Sequence, residues 1–327
     1  MKRPLLIGFC TALLAIALTT TLSIIRPFAD TGPTVAQESS GLAAQTVPEF
    51  NDYWYKGEAE ITSYHLEQAR YGEIHQGQAV LVFVTEPFSK SQQVKLDYPT
   101  QNKSDEVPVF KLNTTKKFNT GIYPYSMMSS VFAPVDLAQY PHPLKLTVSS
   151  QEWCGQTFLQ LNNQAQTYEV DSRSYFEREG DQQLSLAKTW LEDELWTRMR
   201  MNPNALPVGN LSVIPSAFYT RLRHTEFGPM EAIATLTEDT TNPQLKTYTL
   251  KYPGQSRTLS IHFESTFPYA IQGWEETYPS GFGSPQMLTT KATAINRIMN
   301  DYWAHNRNVD LPLRRELGLP LPSDETS

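Results

Sequence analysis

The residues best equipped for chemistry in this chain stand together at 149–157, Ser-Ser-Gln-Glu-Trp-Cys-Gly-Gln-Thr. Cys154 is a candidate nucleophile if a histidine approaches it and lowers the thiol pKa. His142 is near it in sequence. No papain-like or caspase-like context surrounds the thiol. The favoured reading is therefore a small buried cysteine at a strand bend, with Gly155 supplying the bend. An extracytoplasmic hydrolase or thiol enzyme centred on Cys154 stands as the alternative. Exposure in a cleft beside a histidine would favour it, and burial among apolar side chains would count against it.

Other reactive constellations are weaker. The six histidines (65, 75, 142, 224, 262, 305) are scattered, without HExxH, HxH or Cys/His spacing, so no metal site is expected. His262 falls on the polar face of its strand and is expected to face solvent. Residues 279–284 (PSGFGS) superficially resemble a nucleophile elbow. Tyr278 occupies the place of the first glycine, however, and the segment reads as a loop. Glu192, Asp193 and Glu194 are consecutive. On a helix they point about 100° apart and do not converge for acid–base work, so they read as a solvated face. There is no P-loop and no dinucleotide fingerprint, and no cofactor is expected. The balance leans against an enzyme.

Two segments look more like binding surface. Residues 116–128 (KKFNTGIYPYSMM) mix aromatics, Met, Gly and Pro, and offer Phe118, Tyr123 and Tyr125 as apolar contacts. A core role for these aromatics is the competing reading. Residues 50–57 (FNDYWYKG) add Trp54 and Tyr55, and Trp153 completes the candidate set. The octapeptide resembles the Gly-x-Trp-Tyr entry strand of lipocalins, with Asp52 where that glycine stands.

These side chains need a scaffold, and apolar periodicity outlines one. The stretch 58–64 alternates partly, and 79–84 (AVLVFV) is a continuous apolar run suited to a strand buried on both faces. Residues 144–149 alternate cleanly, and 157–161 and 167–170 read as shorter strands. Leu184, Ala187, Leu191, Leu195 and Met199 make a helical stripe with Asp181 as N-cap, ending by Met201 before Asn202-Pro203. Residues 247–252 and 257–263 predict a hairpin with a type II turn at Pro253-Gly254. Leu288, Ala292, Ile295, Met299, Tyr302 and Trp303 suggest a last helix over 290–304. Together these predict a mainly β (β-rich α+β) fold. Curved antiparallel sheets, as a partly open barrel or sandwich, would carry two covering helices after an N-terminal export or anchor helix. The expected organisation is a leader (1–36), a flexible spacer (37–47), a β-rich region ending in a helix (48–201), a linker (202–209), a second β-rich region ending in a helix (210–319) and a tail (320–327).

Lys2 and Arg3 precede an apolar run over residues 4–25, the pattern of an export signal or membrane anchor. Its length lies nearer that of a spanning helix than that of a cleaved signal. Thr34-Val35-Ala36 offers a small-residue cleavage site. Either reading places the body outside the cytoplasm, secreted, periplasmic or held by residues 4–25. The full chain carries a net charge of −7, and loss of residues 1–36 removes three cations and one anion. That disfavours nucleic acid as a partner. About 290 residues remain, enough for one large domain or two medium ones. Cys154 would then be the one remaining thiol, so the fold would rest on its core and not on an intramolecular disulfide.

A broader likeness runs through several of these stretches: 54–60 (WYKGEAE), 66–73 (LEQARYGE), 83–86 (FVTE), 113–126 (NTTKKFNTGIYPYS) and 151–155 (QEWCG). Over most of residues 50–275 the chain resembles an uncharacterised family of exported bacterial envelope proteins. Members are sometimes labelled septum formation inhibitor Maf. The Ser-x-Ser-Pro-Arg signature of the cytoplasmic Maf nucleotide pyrophosphatases is absent here. The resemblance implies an envelope location and transfers no catalytic residue. The resulting expectation is a non-enzymatic envelope protein that binds an apolar or amphipathic ligand, such as a lipid or an envelope polymer. An interior without a ligand-sized cavity would count against such carriage. A purely structural envelope component is the third reading.

Overall fold

Alternating apolar and polar residues commit most of the chain to strands, because each strand can then bury one face and wet the other. In the computed structural model, residues 46–99, 101 and 103–321 are described. The leader, most of the spacer and residues 322–327 of the tail lie outside the described residues. Helix α1 (Phe50–Trp54) precedes β1 (Ala59–Arg70), β2 (Glu73–Ser89), the short β3 (Val94–Lys95), β4 (Glu106–Thr120) and β5 (Tyr123–Pro134). Then come β6 (Lys145–Glu152), β7 (Gly155–Asn163), β8 (Thr167–Ser174), β9 (Gln182–Ala187), β10 (Trp190–Leu191) and helix α2 (Glu192–Met201). The remainder holds β11 (Gly209–Ile214), α3 (Ala217–Arg223), β12 (Met230–Glu238), β13 (Leu245–Tyr252), β14 (Arg257–Glu264), β15 (Ile271–Ser280), β16 (Gln286–Asn300) and α4 (Leu313–Glu316).

The protein is mainly β, as its pattern predicts: one large curved sheet with few helices. The strand order is β10-β11-β12-β13-β14-β15-β16-β1-β2-β4-β5-β6-β7-β8-β9, with β3 beside β2. β1 pairs with β16, so the regions 48–201 and 210–319 contribute strands to the same sheet. The two ends of the path, β9 and β10, are separated only by Lys188 and Thr189. Thr189 donates from Oγ1 to the Ser212 carbonyl on β11 and accepts at its own carbonyl from Tyr168 Oη on β8. One chain segment therefore grips both edges of the sheet.

The expected hairpin forms, with Tyr248 opposite Ile261 and Leu250 opposite Leu259, all buried. Its turn differs from type II. Pro253–Gln255 makes a 3-10 turn, and the left-handed residue is Ser256, not Gly254. The run 79–84 is covered on both faces. Ala79, Leu81 and Phe83 enter the main core, while Val80, Val82 and Val84 pack outward beneath Leu317 and Leu319.

Two predicted helices are corrected. The stripe from Leu184 to Met199 divides: Leu184 and Ala187 lie on strand β9, and the helix is Glu192–Met201. Its end at Met201 is as expected. Residues 290–304 are mostly strand β16 followed by a 3-10 turn. On β16, Ala292 and Ala294 face the main core. Ile298 packs against the outer cluster and Ile295 lies beside Gly318, so apolar residues on both faces imitate a helical stripe. The second covering helix is instead the short α3.

The sheet curls around α2. This one helix reaches Glu60 on β1, Arg257 on β14 and His142 just before β6, strands widely separated in the sheet order. Its apolar residues Leu195, Met199 and Met201 join the central core.

Candidate functional site

Register places several turns at one end of the sheet. Arg70 pairs with Glu73 across the β1–β2 turn, and Gly77 opposite Phe118 brings the β4–β5 turn beside it. Ser126 opposite Gln151 adds the β6–β7 turn, and Glu67 opposite Lys291 adds the loop between β15 and β16. The tips of this rim are apolar. Ile122, Trp153 and Phe282 are 84%, 68% and 79% exposed.

The rim aromatics touch in sequence. Phe282 lies 5.6 Å from Tyr71 between ring centroids, and Tyr123 lies 6.4 Å from Trp153. Tyr123 Oη donates to Tyr71 Oη at 3.2 Å, and the Tyr71 and Tyr125 hydroxyls are 2.7 Å apart. Four separate turns thus supply one connected aromatic ladder.

A buried cation lies beneath it. Arg70 is 6% exposed. Its guanidinium hydrogen-bonds the Leu222 carbonyl at the end of α3, the Tyr71 and Tyr125 hydroxyls at 3.2 Å each, and His224 Nε2 at 3.4 Å. It also lies over the Tyr71 ring, 4.2 Å from the centroid. His224 caps α3 in the left-handed region, with φ 53°, and its Nδ1 meets Glu179 at 2.5 Å. A proton on Nδ1 directed at Glu179 leaves Nε2 to accept from Arg70. Among the described residues, Arg70 has no carboxylate within ion-pair distance, and neither has Arg223. A cavity of ≈ 140 Å³ lies between them, lined also by Tyr71, His224, Ser280 and Phe282. A second hollow of ≈ 130 Å³ lies beside the end of α3, against Arg221, Arg178 and Phe158.

Around α2 the apolar interior also holds buried charged groups and little free space. Glu192, Asp193 and Glu194 are buried, which corrects their reading as a solvated face. They do diverge as helix geometry requires. Glu192 accepts both Arg257 terminal nitrogens at 2.6 Å and Tyr252 Oη at 2.6 Å. Asp193 accepts from Ser216 Oγ at 2.8 Å and the Ala217 amide at 3.1 Å, and so anchors the start of α3. Glu194 pairs with His142 Nδ1 at 3.0 Å. Burial, with Glu192 adjacent, pushes Asp193 up to about 6. Lys116 is also buried, over the Phe218 and Trp274 rings at 5.4 and 5.8 Å, and burial pulls its ammonium below the ordinary lysine range. The cavity beside it is ≈ 40 Å³, room for a few waters and not for an acyl chain.

No family model, curated protein or solved structure matches this chain.

The chemistry available therefore follows from the side chains themselves. Tyr123, Tyr125 and Trp153 come together at the rim, with Trp153 exposed, Tyr123 half-buried and Tyr125 buried as the floor. Phe118 stacks on Tyr125 at 4.8 Å and is buried. Trp54 and Tyr55 lie apart from this group. Trp54 is fully buried against Phe110, and its carbonyl accepts from Thr85, far along β2 from the rim, while Tyr55 is half-exposed. Cys154 is exposed at the β6–β7 turn, a correction to the buried reading. Its amide donates to Glu152 Oε2 at 2.6 Å, and a separate hydrogen bond of the thiol to that carboxylate, with the carboxylate's charge, raises the thiol pKa. His142 sits instead with Glu194 and Trp190. His262 is half-buried, with Nδ1 3.0 Å from Thr247 Oγ1. Of residues 279–284, expected as a loop, 281–284 form one, whereas Pro279 and the buried Ser280 end strand β15.

Arg70, Arg223, His224 and Phe282 are the rim residues that sequence patterning passes over. The available signal was Arg70-Tyr71-Gly72 at a strand end, a cation and an aromatic beside a glycine suited to a turn. Among the described residues, no group of three His, Cys, Asp or Glu is placed to hold a metal ion, and no helix is long and apolar enough to cross a membrane.

Proposed function

We propose that this chain is an extracytoplasmic protein of the bacterial envelope that binds an amphipathic ligand, a lipid or an envelope polymer, at the aromatic rim and without chemical turnover. The observation that carries this reading is the connected ladder Phe282–Tyr71–Tyr123–Trp153, exposed at its tips and floored by a buried arginine. Exposed aromatics grouped on one end offer apolar contact area at low side-chain entropy, and their polar edges suit an amphiphile. The small cavity volume beside Lys116 favours a ligand at the rim over one within the sheet. The leader at residues 4–25 and the family resemblance support the envelope location.

The test is mass spectrometry of lipids copurifying with the mature protein, wild type against the Trp153→Ser/Phe282→Ser variant. Wild type should retain a defined amphiphile and the variant should lose it while keeping its thermal midpoint. Equal lipid recovery from both proteins would sink the reading.

A further inference from the structure

We infer that the cavity between Arg70 and Arg223 is an oxyanion site that takes a phosphate group, the polar head of the rim's ligand. This rests on the rim being the ligand-binding surface.

Burying a cation away from counter-charge is costly, and native proteins offset that cost with a paired anion. Arg70 is buried, and its protein partners are hydroxyls, a carbonyl and a histidine nitrogen. The carboxylates around this group pair with other cations, and Glu276 lies 2.7 Å from Arg257. Glu179 lies 2.5 Å from His224 and 3.6 Å from Arg221, and Glu152 lies 3.7 Å from Arg221. The Nε atoms of both Arg70 and Arg223 are buried without a hydrogen-bond partner among the described residues. Both guanidinium groups line one cavity, where their terminal nitrogens, and not the enclosed Nε atoms, would meet an occupant, and guanidinium geometry suits tetrahedral and planar oxyanions.

The cavity's size and remaining wall fit the same occupant. At ≈ 140 Å³ it is close to cavities that hold a single small ring, enough for a phosphate group. Ser280 Oγ accepts from the Gly72 amide at 3.2 Å, which leaves its O–H free to donate. Phe282 and Tyr71 form the apolar lip, so an ester chain leaving the phosphate would run directly onto the ladder.

The experiment measures binding of inorganic phosphate by calorimetry, and of phosphatidylcholine vesicles with and without phosphatidic acid by sedimentation. The proteins are wild type, Arg223→Gln and Arg70→Gln. Arg223 is only partly buried, so its variant keeps the test open if Arg70→Gln does not fold. Wild type should bind inorganic phosphate or the phosphatidic acid vesicles, and Arg223→Gln should weaken that binding at least tenfold. Binding of inorganic phosphate identifies a free phosphate or phosphomonoester as sufficient. Binding confined to the acidic vesicles identifies a lipid headgroup. Wild type ignoring both probes, or folded Arg223→Gln binding like wild type, overturns the inference. If Trp153→Ser/Phe282→Ser loses copurifying lipid and no phosphate binds, this inference fails alone. If that variant keeps its lipid while phosphate binds, the rim reading fails and the anion site stands.

Discussion

Arg200 on α2 grips the Glu60 carboxylate of β1 with both terminal nitrogens, at 2.6 and 2.8 Å, and the two side chains are 1% and 0% exposed. Tyr53 Oη adds a third hydrogen bond to Glu60 at 2.9 Å. Burial works against the Glu60 charge, yet Arg200 outweighs it and holds the carboxyl below its ordinary pKa. Removing one partner leaves the other charge buried and unmatched. Glu60→Gln and Arg200→Met should each cost about 3–5 kcal/mol in urea unfolding. The double variant Glu60→Leu/Arg200→Met should lose less than the sum of the two. Additive losses would show that the pair is not coupled.

Asp193 gives the interior a pH dependence of opposite sign. Its pKa rises from 3.8 to about 6 on folding, chiefly through burial. The native state then holds a proton that the unfolded chain releases, so stability falls as pH rises through that window. The effect is absent below about pH 4 and complete above about pH 6. At about 1.4 kcal/mol per pH unit, it amounts to roughly 3 kcal/mol. Asp193→Asn should remove it: the stability of wild type minus that of the variant should be higher at pH 4 than at pH 7. A difference that stays flat from pH 4 to 7 would show that Asp193 titrates normally.

Gly77 on β2 is a packing constraint near the rim. A β-carbon there would lie 2.3 Å from the Lys117 carbonyl oxygen and 2.7 Å from Phe118 Cβ on β4. Paired backbone cannot withdraw without opening the ladder, so Gly77→Ala should cost roughly 1–3 kcal/mol. Gly254 has open space around its missing β-carbon and no positive φ, so Gly254→Ala should stay within about 0.5 kcal/mol. Equal thermal midpoints for the two variants would contradict the geometry.

How far sequence reaches is visible in these same elements. Leu146 and Val148, or Leu259, Ile261 and Phe263, face one core, so period-two alternation reveals their strands. β16 hides because the C-terminal segment around Leu317 covers its outer face, which supplies apolar residues where a wet face would show polar ones. α2 hides its burial for the converse reason. Its carboxylates and arginines find partners on β1, β14 and α3 that only the curled sheet brings within reach. The rim was half legible. Tyr123, Tyr125 and Trp153 stand out by composition, whereas Arg70, Arg223 and Phe282 join them only through strand register.

Cys154 tests what kind of site the rim is. A nucleophilic cysteine needs a thiolate favoured by a nearby cation or histidine. Here the hydrogen bond and charge of the Glu152 carboxylate disfavour the thiolate, and Arg221 opposes them only in part. The pH midpoint for alkylation of wild type by iodoacetamide should therefore lie above that of an unperturbed cysteine. Glu152→Gln removes the opposing negative charge and should move the midpoint down. Cys154→Ser should leave copurifying lipid unchanged, because the thiol adds nothing to the ladder or to the Arg70 cavity. A wild-type midpoint below the free-cysteine value would overturn this assignment and restore the thiol as a reactive centre.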